Sequence, residues 1–197
     1  MNGMIPNHTA LKEWAAVIRA LLAGDQIVLL RKGGIADAGF GIEAERFYLF
    51  PTNFHQGQNQ FKPEFAHHAV GSSPSDASRI SIHGWAEVVS AQRCSDLERL
   101  MRLDPFVIFT EQTIQQRYRF REDQAVQVMV VRAWRLPQPV VIENRDEYSG
   151  CRSWMSVDDT LDISGSIVAV SDLEFEERRA AIERELGVAA IQLSRQT

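Results

Sequence analysis

Lysine and cysteine are scarce in this chain. Of 21 basic side chains only three are lysine, Lys12, Lys32 and Lys62, and the other 18 are arginine. We read that bias as composition rather than function, yet it makes each lysine worth placing. The two cysteines, Cys94 and Cys151, are too few for a disulfide framework. No apolar run approaches the roughly 20 residues that span a bilayer. Met1 to Leu11 has neither the basic head nor the apolar stretch of a secretory signal, so a cytoplasmic protein with no membrane partner is expected. With 12 Gly and 7 Pro, 45% apolar and 24% charged residues, disorder and collagen are excluded as well. A chain of 197 residues should bury about 70% of its unfolded surface, enough for one sizeable core or two smaller ones sharing an interface.

The net charge of -5 is unevenly placed. From Asp158 to Thr197 nine acids face four arginines, which accounts for all of it, so the body before Asp158 is neutral. An acidic total is therefore weak evidence against nucleic acid, whose binding needs a local basic patch.

Leu11, Trp14, Ala15, Ile18, Leu21 and Leu22 recur at three-and-four spacing and predict a first helix, capped by Thr9 and ended by Gly24. Gln26 to Leu30 reads as a short buried strand running into Arg31-Lys32-Gly33-Gly34. Two strand pieces are expected between Phe40 and Phe50 around a charged turn, Glu43 to Arg46. Pro51 then opens an irregular segment to Gln60. Ala69 to Ser78, rich in Gly, Ser and Pro, reads as a linker or long loop. Beyond it Ile80–Val89 and Val126–Leu136 are strands, the latter extended by Pro139–Ile142. Ser95 caps a short helix to Leu103, Val107–Phe109 continues as a strand, and Glu111–Arg117 forms a helical turn. A charged, Gly-containing loop runs from Glu143 to Ser156, Ile167–Val170 is a last strand, and Leu173–Leu186 is a charged helix ended by Gly187. The expected fold is α+β: an N-terminal helix and short mixed strands packed on a β-rich unit, with a C-terminal surface helix. Units at 1–68 and 79–157, then an acidic segment at 158–197, describe the chain unless all three form one compact domain.

Four strings stand in a fixed order: Ala10-Leu11-Lys12-Glu13-Trp14, Leu29-Leu30-Arg31-Lys32-Gly33-Gly34-Ile35, Leu49-Phe50-Pro51-Thr52-Asn53-Phe54-His55-Gln56, and Tyr148-Ser149-Gly150-Cys151-Arg152-Ser153-Trp154. Together they resemble the bacterial domain-of-unknown-function family 1802 (DUF1802), over about Ala10 to Asp158. That resemblance brings no activity, substrate or cofactor with it, so function has to be read from the residues.

Two of the strings carry polar chemistry. In Arg31-Lys32-Gly33-Gly34 the glycines let backbone approach a ligand while two cations face it, which suits a phosphate or carboxylate. The same string also describes a plain hairpin turn, and the spacing of a P-loop is absent. In Phe50 to Gln56 a Pro-Thr turn flanked by aromatics presents His55 and Gln56, an imidazole beside a donor and acceptor. A loop anchored by its phenylalanines, with His55 capping a backbone group, fits equally well.

His67 and His68 raise a metal site. Neighbours on one element do not both face one ion, so one of them would join His55, with Glu13, Glu43 or Glu64 as the third ligand. Arg117-Tyr118-Arg119-Phe120-Arg121, taken as a strand, would align three guanidiniums into a phosphate-binding stripe. With Arg132 and Arg135 on the next strand it could instead form a salt-bridge ladder. A restriction-type nuclease template finds Glu122 and Asp123 but no lysine on the following strand. Glu176 to Gly187 lacks two carboxylates of a pyrophosphohydrolase box, and is better explained as a surface helix with Glu-Arg pairs. Cys151, beside Arg152, is a nucleophile only if a histidine such as His55 or His83 reaches it, and otherwise packs its loop.

The working expectation is that Arg31, Lys32, His55, Gln56 and Lys62 line one concave site for an anionic ligand, a nucleotide or nucleic-acid end being the expected partner. A metal-dependent phosphoester hydrolase using His55, His67 or His68, and a module with no catalysis, are the alternatives. Neither a cofactor nor an oligomeric state follows from the sequence.

Overall fold

The computed structural model describes residues 8–32, 41–52, 58–69, 78–120, 122–150, 152–157 and 161–187. Strand β1 (Thr9–Trp14) leads directly into helix α1 (Ala15–Ala23), followed by β2 (Val28–Arg31) and β3 (Arg46–Thr52). Two long strands, β4 (Arg79–Cys94) and β5 (Val126–Glu143), enclose helices α2 (Leu97–Met101) and α3 (Glu111–Arg119) in sequence. Short strands β6 (Trp154–Ser156) and β7 (Ile167–Val168) and helix α4 (Asp172–Glu185) complete the chain. The architecture is α+β, as expected.

A single sheet takes strands from the whole length. Its spatial order is β2, β5, β4, β3, β1, β6, with β7 also on β5. Among the described residues β1 and β3 pair in parallel, and the other pairings are antiparallel. Alternation along the strands covers both faces. Leu11, Phe47 and Leu49 enter the larger core with α1, β2 and α3. Ala10, Tyr48 and Phe50 enter a second core closed by Tyr148, Val157, Leu161 and Ile163. At the bulge beside Ile82, β5 and α1 crowd the sheet so closely that a Cβ on Gly84 would stand 2.3 Å from the Trp134 carbonyl oxygen and 2.5 Å from Leu22.

Several local expectations are corrected. Thr9–Trp14 is a strand and not the start of the helix, because β3 and β6 supply ladder partners on both its edges. Gly24 does end α1, at φ 88°. Asp96, not Ser95, caps α2, accepting from the Glu98 and Arg99 amides. Residues 41–45 form no strand, whereas β3 continues through Pro51 to Thr52 beside β1. Val107–Phe109 makes one isolated bridge, Phe61 to Phe109, and no strand. The linker expected around 70–77 lies outside the described residues. Among the described residues no helix is long and apolar enough to cross a membrane.

Candidate functional site

Two polar strings singled out in the sequence start from one point, the C-terminal end of β1. Parallel register sets Glu13 opposite Pro51 and Trp14 opposite Thr52, and the Thr52 hydroxyl donates to the Glu13 carbonyl at 3.2 Å. Glu13 is 3% exposed. One carboxylate oxygen accepts from the Trp14 amide at 2.8 Å, and the other from the Arg31 guanidinium at 2.6 Å. The last residue of β2 and the last of β3 therefore meet at Glu13. Lys32 follows the first, and the loop carrying His55 and Gln56 follows the second. His55 and Gln56, like Gly33, Gly34 and Cys151, lie outside the described residues.

A second guanidinium enters from α3. The expected strand stripe of Arg117, Arg119 and Arg121 does not form. Thr110 caps a helix instead, and Ile114 and Tyr118, four apart, bury its inner face. That winding turns Arg117 inward while Arg119 stays exposed, and Arg121 lies outside the described residues. Arg117 donates to the Leu30 carbonyl at 2.9 Å. Its guanidinium carbon lies 4.3 Å from the Trp14 ring centre and 4.4 Å from that of Phe109, a cation held between two π faces. Burial pushes the Arg117 pKa down to about 10, with the Glu13 carboxylate opposing that shift and Arg31 adding to it. The group stays charged at neutral pH. Its Nε is sealed from solvent and has no hydrogen-bond partner among the described residues.

The aromatic wall continues into the segment after the His55 loop. Trp14 meets Phe61 and Phe109 edge-on at 5.9 and 5.7 Å. The Lys62 amide bonds to the Ile108 carbonyl and the Thr110 amide to that of Gln60. Both flanks of the loop are thus fixed around Trp14.

The three lysines all point at backbone carbonyls. Lys32 Nζ donates to the Tyr118 carbonyl in the last turn of α3 and to the Asp123 and Ala125 carbonyls just before β5. Lys62 Nζ donates to the Asp104 and Val107 carbonyls and pairs with the Asp104 carboxylate at 3.1 Å. Lys12 Nζ reaches the Ser149 and Gly150 carbonyls. Of the predicted ligand-binding cations Arg31, Lys32 and Lys62, Arg31 is the one that pairs with Glu13 beside Arg117. Arg132 pairs with Asp172 on α4 and Arg135 caps the Leu22 carbonyl, so neither belongs to a cross-strand ladder. His67 and His68 sit on a 3-10 turn, Pro63–His68, that also carries Glu64, yet the acidic side chain whose oxygen gathers with both imidazoles is Asp25 and not the expected Glu13, Glu43 or Glu64.

The family model described as "Domain of unknown function (DUF1802)" matches residues 10–181. The chain belongs to this family. No curated protein matches. Among solved structures, the chain is similar to ASCH from Zymomonas mobilis at 12% identity, covering 72% of this chain and 90% of that one with a TM-score of 0.43. A tyrosine-to-phenylalanine variant of that protein is matched at 11% identity over 88% and 97% of the two chains, TM-score 0.45.

Within this DUF1802 member, sequence reading missed Glu13 as the hub of the site, considering it only as a metal ligand. The one available signal was its place in the string Ala10 to Trp14. A carboxylate inside an apolar strand needs a buried partner, and Arg31 was the nearest polar residue ending another buried strand.

Proposed function

We propose that this DUF1802 protein binds an anionic ligand, a phosphate group of a nucleotide or of a nucleic-acid end, where β1, β2 and β3 run out. The observation carrying the reading is the charge count at the hub: among the described residues, the enclosed Glu13 carboxylate pairs with Arg31 and lies in the field of a second guanidinium, Arg117. Such a cluster keeps a net positive charge in a weakly screening setting, where an anion is worth more than in water. Arg117 is also pre-oriented by Trp14 and Phe109, so little side-chain entropy is lost on binding. In this reading His55 and Gln56 complete the site from the adjoining loop. Lys32 and Lys62 fix its surroundings through the carbonyls they hold, adding positive field more than direct contact.

Opposite signs make the test decisive. Titrating pyrophosphate and a 5′-phosphorylated oligonucleotide should give binding that weakens as salt rises. Arg117→Gln should lose most of the affinity, whereas Glu13→Gln, which removes the competing carboxylate, should raise it. General loss of fold cannot raise affinity. Binding that ignores both substitutions and shows no salt dependence would overturn the proposal.

A further inference from the structure

We propose a second site at the far end of α1, where Asp25, His67 and His68 hold a divalent first-row cation, Zn²⁺ by the chemistry of its ligands. One ligand atom from each side chain lies within 4.8 Å of the other two. Two imidazoles and a carboxylate form a zinc-type donor set, and bonds of about 2.0–2.1 Å in tetrahedral array set ligand atoms about 3.4 Å apart. Asp25 and His67 are both exposed, so packing does not lock their side chains against closing on an ion.

The scaffold places each ligand for a reason. Gly24, in the left-handed conformation, turns the chain at the end of α1, and the Asp25 amide bonds back to the Ala20 carbonyl, so Asp25 is held at the helix terminus. Arg19, one α1 turn earlier, donates to the His68 carbonyl at 2.6 Å and ties the 3-10 turn down. Because a 3-10 turn steps about 120° per residue, its adjacent histidines diverge less than on a strand. Their ring centres are 4.0 Å apart. This answers the objection that neighbouring histidines cannot share an ion.

Hydrogen bonding presents the lone pairs. His67 Nδ1 lies 3.1 Å from the Glu64 carbonyl, a bond in which the nitrogen donates, leaving Nε2 as the free ligand atom. A ring N–H given to a backbone carbonyl is the usual outer-shell support of a metal histidine. His68, 5% exposed, aims Nε2 at the Asp25 carboxylate at 2.6 Å. A cation there would sit where that shared hydrogen now lies. A purely structural Asp25–His68 bond would not require His67, whose exposed side also leaves room for water as a further ligand.

The test is calorimetry of Zn²⁺ with the chelator-stripped full chain, alongside thermal melts with and without Zn²⁺. The wild type should bind one equivalent and melt higher with the metal. His67→Ala, at an exposed position, and Asp25→Asn should each weaken binding at least about tenfold and abolish the thermal shift, while His8→Ala changes neither. Failure of the wild type to bind, affinity unaltered in both ligand variants, or loss of binding in His8→Ala would overturn the proposal.

Discussion

Arg31 reaches Glu13 at 2.6 Å although four strand-to-strand steps separate β2 from β1 in the sheet. In a flat sheet those steps would span about 19 Å, beyond what the two side chains cover together. The pair therefore records how far the sheet curls, and it closes the curl at the candidate site. Removing one partner leaves a charge in a nearly dry setting. Arg31→Ala should destabilise the protein by about 3–5 kcal/mol, read from urea unfolding. Glu13→Gln with Arg31→Gln should cost much less than the sum of the two single changes. Additive costs would show that the pair does not close the curl.

A second prediction concerns α2. Asp96 accepts from two amides of α2 at 2.9 and 3.2 Å, while the Ser95 carbonyl accepts from the Tyr118 hydroxyl of α3 at 2.8 Å. Asp96→Ala should cost about 1 kcal/mol, and Ser95→Ala should fall within about 0.5 kcal/mol of wild type. Denaturant midpoints of the two variants separate the assignments.

Features that depend on neighbouring residues could be read from the sequence. The runs behind β4 and β5 carried their own alternation, and Gly24 and Gly187 marked helix ends through a left-handed conformation, at φ 88° and 70°. Features set by distant partners could not. Leu11 and Trp14 continue the spacing of Ala15 to Leu22, so a strand feeding straight into a helix looks like one longer helix. Only the ladders to β3 and β6, far along the chain, show otherwise. The alternation of arginine and aromatic residues at 117–121 imitates a strand for the same reason. What decides for helix is Thr110 as cap and the burial of Ile114 and Tyr118 against the core. Glu13, Arg31 and Arg117 come from three elements that sequence order keeps apart, so their shared charge became visible only in three dimensions.

His83 should titrate below the ordinary histidine range. Loss of hydration lowers its pKa first, and the positive charge of Arg19 adds to that. The sign follows from proton counting: between the lowered value and about 6.5 the unfolded chain binds more protons, so this residue's contribution is full above about pH 6.5 and is lost as pH falls from there through the lowered folded value. The ring is only half-buried, so solvent screens the effect and the change in stability is small. A histidine NMR titration should find the His83 midpoint under 6.5, and His83→Gln should flatten the decline in melting temperature on acidification. A midpoint above 6.5 would contradict the environment described.

The last prediction tests the crowding between β4, β5 and α1. A methyl group on Gly84 would lie 2.3 Å from a backbone oxygen and 2.5 Å from Leu22, and the oxygen belongs to the central β5 strand, which cannot swing away as a side-chain tip can. Gly84→Ala should therefore cost about 1–3 kcal/mol through overpacking, even though replacing a strand glycine ordinarily helps through chain entropy. The Leu22→Ala background supplies the internal control. It clears one side of the clash but not the carbonyl, so it should recover only part of the loss. Full recovery would assign the strain to Leu22 alone, and a neutral or stabilising Gly84→Ala would mean that the sheet and α1 lie farther apart at this bulge.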